Sequence, residues 1–222
     1  MTSAEQLVRL VEQDLEEVEA ALRAHPYVAA VVAGDCPLAG LQAFVGTQYH
    51  LADSDARSVA LMIHRFGDKP FAGFFRDVLS GEFAAQEGIV TLAKKLQMSE
   101  ADLKAYEPTA RGFAYGTYLL WLSSHGTAAQ IMCGMLVNFA AWGANCAKMG
   151  EGLRAHYGCA REDTGFVDGF AELPSFAPEA LPVIEAGLAH GEDPESLRRQ
   201  ARLFQAYEKM FWDDMARAAG IQ

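Results

Sequence analysis

The sequence predicts an all-α protein, a single-domain bundle of seven or eight helices spanning residues 1–222. Three observations predict it. Apolar residues recur at helical spacing along most of the chain, strand signals are almost absent, and residues 112–147 carry no Asp, Glu, Lys or Arg. A helix without a charged face is expected to be surrounded by protein on all sides. A chain of 222 residues that is 51% apolar and 21% charged can bury one substantial core and is not disordered.

The elements follow in order. Ser3 with Gln6 forms a capping-box pattern, and Leu7, Leu10, Val11, Leu15, Val18 and Leu22 then share one helix face. Glu12, Glu16 and Glu19 lie opposite, and Pro26 is expected to stop this helix. The run 28–32 fits a strand, but its alanines favour a helical turn. Helices are then expected over 38–66 and 71–96. Ser99, with Asp102 three positions on, caps a short one ending near Pro108. The uncharged segment follows as a buried helical hairpin, broken at 123–127, whose second helix extends to about Tyr157. Residues 158–178 are rich in Gly, Pro and acids and read as loop with a short helical piece. Two further helices, about 178–189 and 194–218, each begin at or near a proline.

Composition excludes several function classes. Lys and Arg number 18 against 29 Asp and Glu, a net charge of −11. Such a surface repels phosphate backbones and anionic lipids, so no nucleic-acid or membrane partner is expected. The break at 123–127 also leaves the first uncharged run too short for a bilayer core of ~30 Å. The second run carries Gln130, Asn138 and Asn145. The four cysteines, Cys36, Cys133, Cys146 and Cys159, show no CxxC spacing, and residues 1–19 hold no apolar signal core. A cytoplasmic location fits both. None of the six histidines has Glu three positions before it, the spacing that places two di-iron ligands on one helix face. No metal or cofactor is expected. No nucleophile elbow, phosphate loop or dinucleotide fingerprint occurs.

Two stretches carry candidate chemistry. Tyr115, Tyr118, Trp121, Asn138, Phe139, Trp142 and Asn145 lie on the uncharged hairpin. The two asparagines either satisfy polar groups in the core or line a pocket for an uncharged, flat ligand stacked on aromatics. Near the C-terminus, Phe204, Tyr207, Phe211 and Met215 form an apolar stripe with Glu208 at its edge. A carboxylate there is either a solvated or ion-paired flank residue, or a desolvated acid suited to proton transfer.

These residues resemble the TenA family of thiamin-salvage proteins. His25-Pro26-Tyr27-Val28 is similar to the family's HPF motif. Ser99 to Tyr106 followed by Pro108, and Phe113-Ala114-Tyr115, resemble two further stretches. Tyr207-Glu208-x-x-Phe211-Trp212-x-x-Met215-Ala216 resembles the C-terminal signature and is the most specific of the four. The resemblance covers nearly the whole chain. It implies the haem-oxygenase-like helical fold without haem, and a homo-oligomer, dimer or tetramer. It also implies hydrolytic removal of an amino group or thiazolium from an aminomethylpyrimidine, using an Asp, a Cys nucleophile, several Tyr and a C-terminal Glu.

Glu208 and Tyr115 match that pattern. In an ungapped register Asn138 stands at the nucleophile position and Trp142 at a Tyr; Gln48 stands at the Asp and Leu51 at another Tyr. Cys133, five residues before Asn138, falls some 140° round the helix and is expected to face away from the pocket. The resemblance therefore implies Glu208 as catalytic acid/base, with Tyr115, Asn138, Trp142 and Gln48 binding a small pyrimidine-like heteroaromatic ligand. Glu208 is the only carboxylate placed in the pocket by this reading. An amide cannot supply covalent capture as a thiolate does. A non-catalytic small-molecule binder is thus the alternative, followed by an oxidase of the PqqC or di-iron type, which the missing Glu-x-x-His pairs disfavour.

Overall fold

Ser3 accepts a hydrogen bond from the Gln6 backbone N–H, and the Gln6 side chain accepts one from Ser3 N–H, capping helix α1 (Ala4–Arg23). The computed structural model that shows this describes residues 2–221. Pro26 does not simply end α1. It sits in the first turn of a second helix, α2 (Pro26–Ala33), where a missing N–H costs nothing, and His25 caps it by accepting from Tyr27 N–H. Gly34, at φ 79°, closes α2. The run 28–32 is therefore helix.

Helices α3 (Leu38–Phe66), α4 (Ala72–Lys95) and α5 (Glu100–Ala105) follow, then α6 (Ala110–His125) and α7 (Ala128–His156). A 3-10 turn at 161–164 leads into α8 (Gly165–Ala171), and α9 (Ala177–Ala189) and α10 (Pro194–Ala218) complete the chain. Among the described residues the fold is all-α. It has ten α-helices rather than seven or eight, because the helical turn at 28–32 and the short piece within 158–178 are both helices in their own right.

The uncharged segment departs from expectation in one respect. α6 and α7 do not pack on each other as a hairpin; α10 packs on both, and α6 lies mainly against α3 and α10. α7 is buried nearly all round, as its composition requires, whereas α6 keeps an open face with Leu120 45% and Trp121 47% exposed. No charged residue protects that face. No helix among the described residues is long and apolar enough to cross a membrane.

Close approaches fix the walls of the interior. A Cβ on Gly88 of α4 would meet the Phe166 backbone at 2.9 Å, and one on Gly143 of α7 would meet the Phe170 carbonyl at 2.9 Å. These two glycines let α8 sink between α4 and α7 and push Phe166 and Phe170 inward. Arg154 pins α8 from behind through Asp168 and Thr164. Two apolar cores result, one around Trp212 and Phe44 and one around Phe204 and Phe75, and Tyr115 packs against both.

Candidate functional site

A cavity lies between α3, α4, α6, α7, α8 and α10, with about 700 Å³ of empty volume counting its mouth. Helical spacing sets its lining. Gln48, Leu51, Ala52, Asp55 and Val59 come from one face of α3; Val78, Glu82 and Ala85 from α4. Tyr115 and Leu119 project from α6, and Met135, Asn138, Phe139 and Trp142 from α7. Phe166 and Phe170 close one side, and Phe204, Glu208 and Phe211 the other.

The five residues that the resemblance assigns to the site (Gln48, Tyr115, Asn138, Trp142 and Glu208) line this one cavity, whereas Asn145, Tyr118 and Trp121 do not; Asn145 Nδ2 instead satisfies the core by donating to the Leu22 carbonyl at 3.0 Å. Glu208 is 2% exposed. Its Oε2 accepts from Asn138 Nδ2 at 2.5 Å and its Oε1 from Trp212 Nε1 at 3.1 Å. Asn138 is held in turn: Nδ2 also donates to Gln205 Oε1 at 3.1 Å, and Oδ1 accepts from the Tyr115 hydroxyl at 2.9 Å. The amide orientation follows from these partners, since the reverse would set oxygen against oxygen. Gln205 passes the chain on to Glu19 of α1. Asn138 therefore serves as a positioning residue for Glu208 as well as a wall of the cavity.

Burial pushes the Glu208 carboxyl up to about 8; the Trp212 bond opposes this, and the charge of Glu19 adds to it. At neutral pH the group is mostly protonated. Neither of its partners can accept that proton, because Asn138 Nδ2 and Trp212 Nε1 only donate. The acidic hydrogen is left to point elsewhere, and the cavity is the space beside it. Gln48 is 7% exposed and its amide makes no side-chain hydrogen bond among the described residues, leaving it free for a ligand. Trp142 packs on Phe44, Phe170, Phe211 and Trp212, which fixes its ring as a rigid wall.

The cavity also holds two carboxylates that the sequence reading missed. Asp55 and Glu82 line it beside Glu208, so Glu208 is not its only acid. Glu82 is 8% exposed, and burial raises it to about 7. Burial, and then the charge of Glu82, raise Asp55 well above the usual carboxylate range. Asp55 Oδ1 is shut off from solvent and has no hydrogen-bond partner. Burial holds the Tyr115 hydroxyl well above its ordinary value, and the charges of Asp55, Glu208 and Glu82 add to this in that order. A signal was present: Asp55 sits between Leu51 and Val59, and Glu82 between Val78 and Ile89, each an acid inside an apolar stripe. Phe166 and Phe170 were hidden in a segment read mostly as loop.

The cysteines stand apart. All four are free and buried, and none lines the cavity. Cys133 faces away as its helical angle requires, and burial pushes its thiol up to about 12. The HPF-like motif is architectural: His25 caps α2, and its Nε2 lies 3.2 Å from Asp213. Among the described residues no three His, Cys, Asp or Glu side chains converge closely enough to hold a metal ion.

The fold and the site together define an all-α bundle with an aromatic and acidic pocket between its helices. The chain belongs to the TENA/THI-4/PQQC family, which matches residues 12–219. A TenA homologue from P. horikoshii OT3 has a similar structure, with TM-score 0.76 at 18% identity, covering 96% of this chain and 99% of that one. A domain of unknown function with a haem-oxygenase-like fold from Shewanella denitrificans OS217 superposes with TM-score 0.73 at 13% identity, covering 94% and 91%. A candidate TenA-like thiaminase from Sulfolobus solfataricus P2 gives 0.69 at 14%, covering 96% of each chain. At these identities the likeness establishes the haem-oxygenase-like fold. No curated protein matches the sequence.

Proposed function

We propose that this protein binds a small nitrogen heteroaromatic in the cavity and hydrolyses a C–N bond on it, with an aminopyrimidine as the substrate class and Glu208 as the acid. One observation carries the reading: a desolvated, mostly protonated carboxyl whose two oxygens are held by groups that only donate. In the reaction Glu208 gives its proton to the leaving amine as water displaces it from the exocyclic aminomethyl carbon. The proton that water loses returns to the Glu208 carboxylate, so the acid is regenerated and ammonia and the hydroxymethyl product are released. No covalent intermediate on sulfur is involved, because no cysteine reaches the cavity. Gln48 and Tyr115 orient the ring, and Trp142 stacks on it.

Incubation with 4-amino-5-aminomethyl-2-methylpyrimidine, followed by an ammonia assay, tests the reaction. Stoichiometric ammonia with appearance of the hydroxymethylpyrimidine is expected. Tight binding without ammonia would replace the reaction by a purely binding role. The uncharged, open face of α6 around Leu120 and Trp121 supports a homo-oligomer, which would cover it. Four free, buried thiols suit a reducing compartment, and we place the protein in the cytoplasm.

A further inference from the structure

A second space adjoins the cavity. A groove between α4 and α8, continued by residues 173–179, holds about 1270 Å³ of empty volume counting its open side. The groove and the cavity share Val78, Ala85, Phe139, Phe166, Phe170 and Glu82, so Glu82 stands where the two meet. Its outer walls include Gly73, Gly81, Gly165 and Gly169, and a Cβ added at any of these meets nothing within 4 Å. Gly81 is mid-helix in α4, where glycine costs about 1 kcal/mol relative to alanine. No neighbour packs against it to require that loss. Its bareness keeps the groove open.

The charge of this double site has one sign. Lys, Arg and His are absent from the lining of both spaces, whereas Asp77 and Glu179 edge the groove and Asp55, Glu82 and Glu208 face the cavity. Glu208 has its partners in the protein, but Glu82 has no side-chain hydrogen bond among the described residues and Asp55 Oδ1 has none either. Leaving such groups unpaired in a desolvated space is costly, and a ligand that donates to them removes the cost. The acids ring the space without converging on a point that a metal ion would fill. An ammonium, with three N–H donors and an affinity for aromatic faces, answers both the carboxylates and the surrounding phenylalanines.

Resting on the cavity as the functional site, we propose that the ligand is a cationic amine carrying an extended apolar group, its ammonium against Asp55 and Glu82 and its apolar group along the groove past Gly81 and Gly169. This narrows the substrate class: a protonated amine, distinct from the nitrogen that Glu208 releases, is held at Asp55 and Glu82, and the groove selects for what is attached to it. An anionic head of the same length is rejected.

Calorimetric titration at pH 8 with octylamine, 1-octanol, octanoate and propylamine tests it. Octylamine is expected to bind at least tenfold more tightly than octanoate or propylamine. Glu82→Gln should weaken octylamine about tenfold while leaving octanol within twofold, and Asp55→Asn serves where Glu82→Gln does not fold. Gly81→Leu, which fills the groove, should remove the advantage of octylamine over propylamine. Equal binding of octanoate and octylamine, unchanged octylamine affinity in the acid variants, or an octyl advantage surviving Gly81→Leu would each overturn the proposal. Ammonia release from the aminopyrimidine by the unmodified protein reports separately on the reaction. Turnover without amine preference defeats this inference alone, and amine preference without turnover defeats only the hydrolytic reading.

Discussion

The cavity holds buried acids in two opposite states. Glu208 is saturated: Asn138 and Trp212 donate to its two oxygens, and Tyr115, Gln205 and Glu19 extend the network to the surface helix α1. Asp55 and Glu82 face the same space with no such support. Burial raises all three, so the difference lies in the partners rather than in the solvent. A carboxyl held on every side by donors is a group whose position is fixed before a ligand arrives. A carboxyl with unmet acceptors is one whose partner arrives with the ligand. The family's C-terminal signature maps onto the first kind, because Glu208 and Trp212, one turn apart on α10, are the acid and its holder.

The largest effect expected from breaking this contrast is on the saturated acid. Glu208→Gln cannot donate an acidic proton, and its amide N–H must face either Asn138 or Trp212, both donors. Turnover should fall by roughly 10²–10⁴-fold, with kcat lost more than KM gained. Steady-state ammonia release checks this, and wild-type kcat in a folded Glu208→Gln protein would remove Glu208 from the reaction.

The unsupported acids also bear on stability against pH, together with Glu208. Glu82 has a folded value of about 7 against an ordinary 4.5, so its carboxyl is raised on folding. The stability it contributes is fully present below about pH 4.5 and is lost as pH rises through 7. By the size of that shift the loss is on the order of 3 kcal/mol by pH 9. Asp55 and Glu208, also raised, lose stability in the same sense. Wild-type protein should therefore unfold at lower urea at pH 9 than at pH 6, and Glu82→Gln should reduce the difference without abolishing it. A pH-independent midpoint in the wild type would contradict the burial of this acid.

A smaller effect sharpens the comparison by moving the saturated acid toward the unsupported ones. Trp212→Phe keeps most of the packing with Phe44, Trp142 and Phe211 but deletes the N–H that pulls Glu208 down. The alkaline limb of the pH–rate profile should shift to higher pH, with a rate loss of about tenfold or less. A shift to lower pH would mean that the hydrogen bond has been misread. The smallest effect is expected at Cys133, buried in the second core and off the cavity. Cys133→Ala should leave ligand affinity and turnover within a few-fold of wild type, and complete loss of activity in a folded variant would reveal a thiol nucleophile.

Much of the site was legible because its residues fall in local patterns. The aromatic stripe beside Glu208 and the polar residues on an uncharged helix both stand out from their surroundings in the linear chain. Asp55 and Glu82 were equally local signals, acids at apolar-face positions, but α3 and α4 also carry acids that are solvated. Asp53 and Glu87 are examples, and spacing alone does not separate the two kinds when the faces are long. The contribution of α8 was not legible at all. Seven residues with two glycines carry little periodicity, and Phe166 and Phe170 enter the cavity only because Gly88 and Gly143 on other helices admit the backbone. The hairpin expectation for α6 and α7 failed for a related reason: a tight connection makes neighbours in sequence, but α10 offers both helices a better partner.

By itself the sequence determined the helical class, the capped starts at Ser3 and Ser99, and which residues share a face. These are set within a turn or two of chain, where capping, propensity and the 3.6-residue period act. Only the tertiary structure decided what each face meets. It turned Asn138 into the holder of Glu208, placed two more acids across the same space, and left a groove beside them. The pairing of a buried polar group depends on side chains from helices far apart in sequence, and its pKa depends on the solvent they jointly exclude.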